Sequence, residues 1–307
     1  MDFSALIKKS FEVAWRNKVL WLFGFLSGGV GGAGAMNPSG FNFTVPATTE
    51  PSGEELETAS RVLGISDSSA NLISSQAIII LVLAVAALIL ILLLVGIFVS
   101  NWAGAALVFS ILQRDVQKPT FGAGARAGLK YWWKFYLLGL LLALVFLVLI
   151  VMLATPAIFL FLTKLKIVAI IYSIIAAIIL IIAMFVISII GTLIVTIAQR
   201  MIIHKGTGVL ESVRLSGGLI KKHKGEPFLT YLVAIGLNFA AGIVLFIAIL
   251  PLIVIFGVLV FFKLWWLLII AAIPVLVIFF AAGGFLQTFN ASFWTLFYEH
   301  LAAKEGW

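Results

Sequence analysis

Residues 68–113, SSANLISSQAIIILVLAVAALILILLLVGIFVSNWAGAALVFSILQ, contain no charged side chain. A helix of about 20 predominantly apolar residues crosses the hydrocarbon core of a bilayer, so this run is much longer than one crossing requires. Four more stretches, 136–163, 167–199, 227–262 and 264–298, are equally free of Asp, Glu, Lys and Arg. Together they predict five transmembrane helices, with a shorter sixth at 19–35, VLWLFGFLSGGVGGAGA. The 307-residue chain is 63% hydrophobic and 10% charged, with a mean hydropathy of +1.23. A soluble domain holds about 45–50% apolar and about 25% charged residues, which excludes one here.

Charge placement gives the orientation. Sixteen of the 20 Lys and Arg residues fall before span one, between spans two and three, between spans four and five, or after span six. The alternate segments hold Arg61, Lys164, Lys166 and Lys263. By the positive-inside rule both termini are expected in the cytoplasm. The net charge of +8 is then a property of the cytoplasmic face, and no nucleic-acid partner is expected.

The loops suggest one unit used three times: a basic amphipathic cytoplasmic elbow, an outward crossing, a turn, and a long returning segment. In the first elbow Phe3, Leu6, Ile7, Phe11, Ala14 and Trp15 follow helical spacing, while Lys8, Lys9, Glu12 and Arg16 take the other face. The second is expected at 122–136, with Trp132 and Trp133 as interfacial anchors, and the third at 208–224. Each returning segment runs roughly 37–39 residues, or about 56–58 Å as helix, nearly twice the hydrocarbon thickness. Gly104, Gly191 and Gly283–Gly284 occupy comparable depths and are expected to bend it toward the elbows. Pro156 and Pro251 sit at matching points of the outward crossings.

The fold class expected is therefore an all-α membrane protein, one domain over 1–307. Its six transmembrane helices form three helical-hairpin repeats at about 1–113, 114–204 and 205–307, each led by an elbow helix. The first repeat carries an insertion at 37–71, rich in Pro, Ser, Gly and Thr with Glu50, Glu54, Glu55, Glu57 and Asp67, expected outside the cytoplasm as a solvated connection. Ala33-Gly34-Ala35 imitates a signal-peptidase site, but the long amphipathic basic region before it suits an elbow better.

Chemistry has few candidates. The chain has no cysteine, which removes disulfides and thiolate sites. His204, His223 and His300 are far apart in sequence, and Glu299-His300 lacks the second histidine of a zinc H-E-x-x-H motif. The G-x-G-x-x-G spacing at 29–34 has no strand before it to aim amides at a pyrophosphate. Asn42-Phe43-Thr44 is a glycosylation sequon in the outer insertion. Ser188 has no histidine at helical spacing and reads as a hydroxyl bonded to its own helix. No ionisable residue lies centrally in a span, which weighs against intramembrane catalysis and against ion-coupled transport. No catalytic residue, cofactor or metal is expected.

Two residue sets remain. Lys8, Lys9, Arg126, Lys130, Lys134, Arg214, Lys221, Lys222 and Lys224 lie on the elbows, where basic groups attract anionic phospholipid headgroups. Asn101, Gln199, Gln287 and Asn290, with Asn238 and Gln113, are neutral amides in apolar segments, suited to interhelical hydrogen bonds or to a polar path at the centre.

FEVAWRNKVLWLFGF at 11–25, SVRLSGGLIKKHK at 212–224 and FWTLFYEHL at 293–301 resemble bacterial membrane proteins grouped with the membrane domain of glycerophosphoryl diester phosphodiesterase. The resemblance spans nearly the whole chain through small and aromatic residues. It implies a membrane-embedded, lipid-associated role in the bacterial inner membrane, without the soluble barrel that carries the family's chemistry, and it transfers no active-site residue. The function expected is a non-enzymatic lipid-associated or scaffolding component. The alternatives are a transporter or channel for a small or amphiphilic solute and, more weakly, an intramembrane enzyme.

Overall fold

The computed structural model describes residues 2–28, 75–162, 166–223 and 225–307, and the insertion at 37–71, the glycine motif at 29–34 and Lys224 lie outside them. Among the described residues the structure is helical with no strand. Its helices are α1 (Phe3–Arg16), α2 (Val19–Gly28), α3 (Ser75–Leu112), α4 (Phe121–Leu162), α5 (Lys166–Lys205), α6 (Val209–Lys222), α7 (Gly225–Phe261) and α8 (Trp265–Lys304).

Helices α3, α4, α5, α7 and α8 are 37 to 42 residues long and apolar enough to cross a membrane. The described part of the sixth candidate, α2, has ten residues, about 15 Å of helix and half a bilayer core.

Local chemistry sets the ends. The Asp2 carboxylate accepts from the Ser4 and Ala5 amides and caps α1. Gly206 adopts φ +71° just after α5, a left-handed conformation that glycine enters without strain, and frees the chain to start α6. Lys134 secures that turn by donating to the carbonyls of Thr207 (3.0 Å) and Gly206 (3.4 Å).

The elbows at 3–16 and 209–222 are separate amphipathic helices, but the second is not. Residues 122–136 form the opening turns of the 42-residue α4. Nothing between Tyr136 and Leu137 caps or breaks a helix, so the amphipathic segment and the apolar span propagate as one. The helices also run unbroken through the expected bends at Gly104, Gly191 and Gly283–Gly284. Two of these positions serve close packing. A Cβ on Gly191 would lie 2.5 Å from Leu142 Cδ1, and one on Gly284 would lie 2.3 Å from the Trp21 carbonyl oxygen.

Packing is concentrated at one end. Every residue from 80 through 95 of α3 is exposed, whereas every residue from 290 through 298 of α8 is buried. Around that segment Phe293, Trp294, Phe297, Tyr298 and Leu301 pack with Leu193, Ile197 and Met201 of α5, Leu219 of α6 and Ala234 of α7. On its other side Ala291 joins Val13 of α1, Leu20 and Phe23 of α2 and Ala103, Ala106, Leu107 and Ile111 of α3. Helix α2 meets α8 at near-backbone contact, because a Cβ on Gly24 would stand 2.4 Å from the Gly284 carbonyl oxygen. The Thr288 hydroxyl donates to the Leu20 carbonyl (3.0 Å) and stitches the same crossing. The far halves of the long helices present Leu, Ile, Val and Phe outward, a surface suited to hydrocarbon and not to water.

Candidate functional site

The packed end is also the charged end. Arg114, just past α3, reaches Glu299 of α8 with both terminal nitrogens at 2.7 Å, and its side chain is 6% exposed. The bond to Glu299 outweighs burial and raises the Arg114 pKa above its ordinary value. Glu305, after α8, accepts from Lys222 Nζ (2.8 Å) and pairs with His223 Nε2 (2.9 Å). Those two contacts, Lys222 first, hold its carboxyl below the usual carboxylate value. Glu226 at the start of α7 pairs with Lys304, with His300 3.9 Å away. His204 Nδ1 meets the Tyr298 hydroxyl at 3.1 Å. Thus all three histidines, dispersed in sequence, gather around the end of α8.

The amphipathic helices dock on this end by small polar residues. Ser10 of α1 and Ser212 and Ser216 of α6 are fully buried. The first two bond back to their own helices, at Leu6 and Gly208, leaving slim surfaces for close approach. The opposite faces carry the expected basic residues: Lys8, Lys9, Arg214, Lys221 and Lys222 are exposed, as are Arg126 and Lys130 on α4. Lys134 and Lys222 are committed within the chain, to the 206–207 turn and to Glu305. Ser4, Ile7 and Lys8 share an open face of α1. Beside it Phe11 stacks on Trp15, and both rings meet Phe285 edge-on at 5.4 and 5.9 Å. Phe11 and Trp15 stay half-exposed, an aromatic girdle of the type found at headgroup level.

The four amides expected in a polar core have different settings. Asn101 donates to the Ile97 carbonyl of its own helix (2.8 Å). Asn290 donates to Asn238 of α7 (3.2 Å). Gln287 is buried against α2, where a Cβ on Gly28 would meet its side chain at 3.2 Å. Gln199 is half-buried on α5. Among the described residues no group of three or more His, Asp or Glu side chains is disposed to hold a metal ion.

Arg200 is the residue that the sequence reading misplaced. It counts among the inner loop charges by charge pattern, yet it lies inside α5, 4% exposed and against α8. Its Nη1 donates to the Thr196 carbonyl (2.6 Å) and its Nη2 to the Ala291 carbonyl (3.4 Å). A signal was present: Thr192, Thr196, Arg200 and His204 recur every four residues, a polar stripe along one face of an apolar helix.

The chain belongs to a family of unknown function, DUF7544, which it matches over residues 14–298. Neither the curated proteins nor the solved structures contain a match to it.

Proposed function

We propose that this member of a family of unknown function is a multi-pass membrane protein whose charged end lies at the cytoplasmic headgroup layer and engages anionic phospholipids as a non-enzymatic, lipid-associated scaffold. The observation that carries the reading is the docking of α1 and α6 on one end of the bundle, small serines inward and Lys8, Lys9, Arg214 and Lys221 outward. The half-exposed Phe11 and Trp15 beside Lys8 add an apolar contact for acyl chains. In this arrangement the long apolar helices, with α2 as the start of the sixth crossing, enter the bilayer from that end, and both termini stay in the cytoplasm. Three hairpin units and the likeness to the phosphodiesterase membrane domain fit the same picture.

Each basic residue near an anionic surface contributes about 1 kcal/mol of attraction at low screening. Native mass spectrometry of the full chain in mild detergent, with equal phosphatidylglycerol and phosphatidylcholine, tests this. The anionic lipid is expected to be retained preferentially, and Lys8→Gln with Lys9→Gln and Lys221→Gln lowers the preference by about tenfold or more. Equal retention of both lipids by the unaltered protein contradicts the proposal.

A second reading, a path for a small solute, draws on the Asn290–Asn238 pair between α7 and α8. Proteoliposome flux abolished by Asn290→Leu would favour it.

A further inference from the structure

Arg200 stands apart from the exposed lysines of α1 and α6. Its side chain is buried between α5 and α8, and among the described residues no carboxylate lies within 4 Å of it. Arg114 at the same end has Glu299 as its counterion, whereas Arg200 has two carbonyl oxygens, one of them at 3.4 Å. Its Nε has no partner, and neither does the hydroxyl of Ser292, the residue after Ala291. A guanidinium offers five N–H donors, so much of this buried cation's bonding capacity is unused.

A buried charge without a counter-charge is costly, and replacement by a well-packed apolar side chain is commonly neutral or stabilising. Two carbonyl dipoles offset part of that cost. One helical turn toward the charged end, His204 is exposed and contacts the hydroxyl of the buried Tyr298. Arginine suits phosphate oxygens because its planar fork can donate two parallel bonds.

We propose that Arg200 is a binding site for a phosphate-bearing anion that enters between α5 and α8 from the side of His204 and displaces the long contact to the Ala291 carbonyl. The phosphate comes either from an anionic lipid headgroup or from a free phosphate. The site is internal and independent of the exposed elbow lysines.

The test uses the full chain, purified in detergent and stripped of lipid, followed by thermal unfolding. Inorganic phosphate and phosphatidylglycerol are titrated separately, with phosphatidylcholine as the zwitterionic control. One of the two anions is expected to raise the midpoint by about 5 °C or more at saturation, and inorganic phosphate acting alone identifies the free-anion source. Arg200→Met is compared with Arg200 intact in a Lys8→Gln, Lys9→Gln and Lys221→Gln background, which takes out the elbow contribution, and abolishes the shift that remains. Should Arg200→Met fail to fold, Arg200→Lys keeps the charge but loses the fork, and the half-saturating concentration rises at least about tenfold. The proposal is overturned if neither anion shifts that background with Arg200 intact, or if Arg200→Met or Arg200→Lys responds in it as Arg200 does. In those cases the arginine is held by carbonyl dipoles alone.

Discussion

Arg114 and Glu299, 185 positions apart in the chain, form a two-pronged ion pair at 2.7 Å that fastens the end of α3 to the last turns of α8. The arginine is nearly covered and the carboxylate is about one-third exposed, so the pair sits at the edge of the core and not on an open surface. Removing one partner leaves the other charge partly buried without compensation. Glu299→Gln is expected to lower stability by about 2 kcal/mol, read as the unfolding midpoint in detergent. Adding Arg114→Met to that variant should recover much of the loss, and a double variant as unstable as the single one would show that the pair is not the cause.

The crossing of α2 and α8 depends on two glycines, each facing the backbone of the other helix. A Cβ at Gly24 or Gly284 would sit 2.4 or 2.3 Å from a carbonyl oxygen, which no side-chain rotation can relieve. Gly24→Ala and Gly284→Ala should each cost about 2 kcal/mol or more through forced separation. Gly218→Ala on α6 is the control, because nothing lies within 4 Å of its added methyl. It should gain about 0.5–1 kcal/mol as glycine leaves a helix interior. Unfolding midpoints of the three variants, compared side by side, check both signs.

Glu305 joins the end of α8 to the α6–α7 junction through Lys222 and His223, and those contacts lower its pKa. Because the folded value lies below the unfolded one, the clamp's stabilisation is fully present above the unfolded carboxylate pKa. It is lost as pH falls through the lower, folded value. Comparing the unaltered protein with Glu305→Gln across pH 7 to pH 3.5 should show a gap in midpoint that closes at the acidic end. A gap that stays constant or widens on acidification would contradict the assignment.

Much of the architecture is readable in the sequence because lipid imposes a simple requirement: long uncharged runs must be helices. The periodicity of 3–16 and 209–222 likewise announces amphipathic helices, since a polar and an apolar face alternate with the helical turn. The fusion of 122–136 with the span after it was not readable, as amphipathicity shows where an interface lies and not where a helix stops. Harder still was which part of each apolar helix packs. Residues 80–95 and 290–298 are both free of charge, yet one stretch is exposed throughout and the other buried throughout. An uncharged run suits lipid and protein interior alike, so the absence of charge does not separate them. The residues that do are small or polar: Gly24, Gly284, Ala103, Ala106, Thr288 and Asn290. Arg200 escaped for a related reason, since an arginine near a helix end reads as an orientation charge until a partner helix is seen to cover it.

That the charge-bearing ends share one cytoplasmic face is the claim on which the account rests, and the cysteine-free chain makes it directly measurable. Single cysteines placed at Lys9, Arg126, Arg214 and Glu305, and at Leu162 and Phe262 on the opposite turns, can be labelled in cells with a membrane-impermeant maleimide. The first four are expected to react only after the membrane is opened and the last two in intact cells. Labelling of any of the first four in intact cells, or protection of both Leu162→Cys and Phe262→Cys until lysis, would contradict the claim.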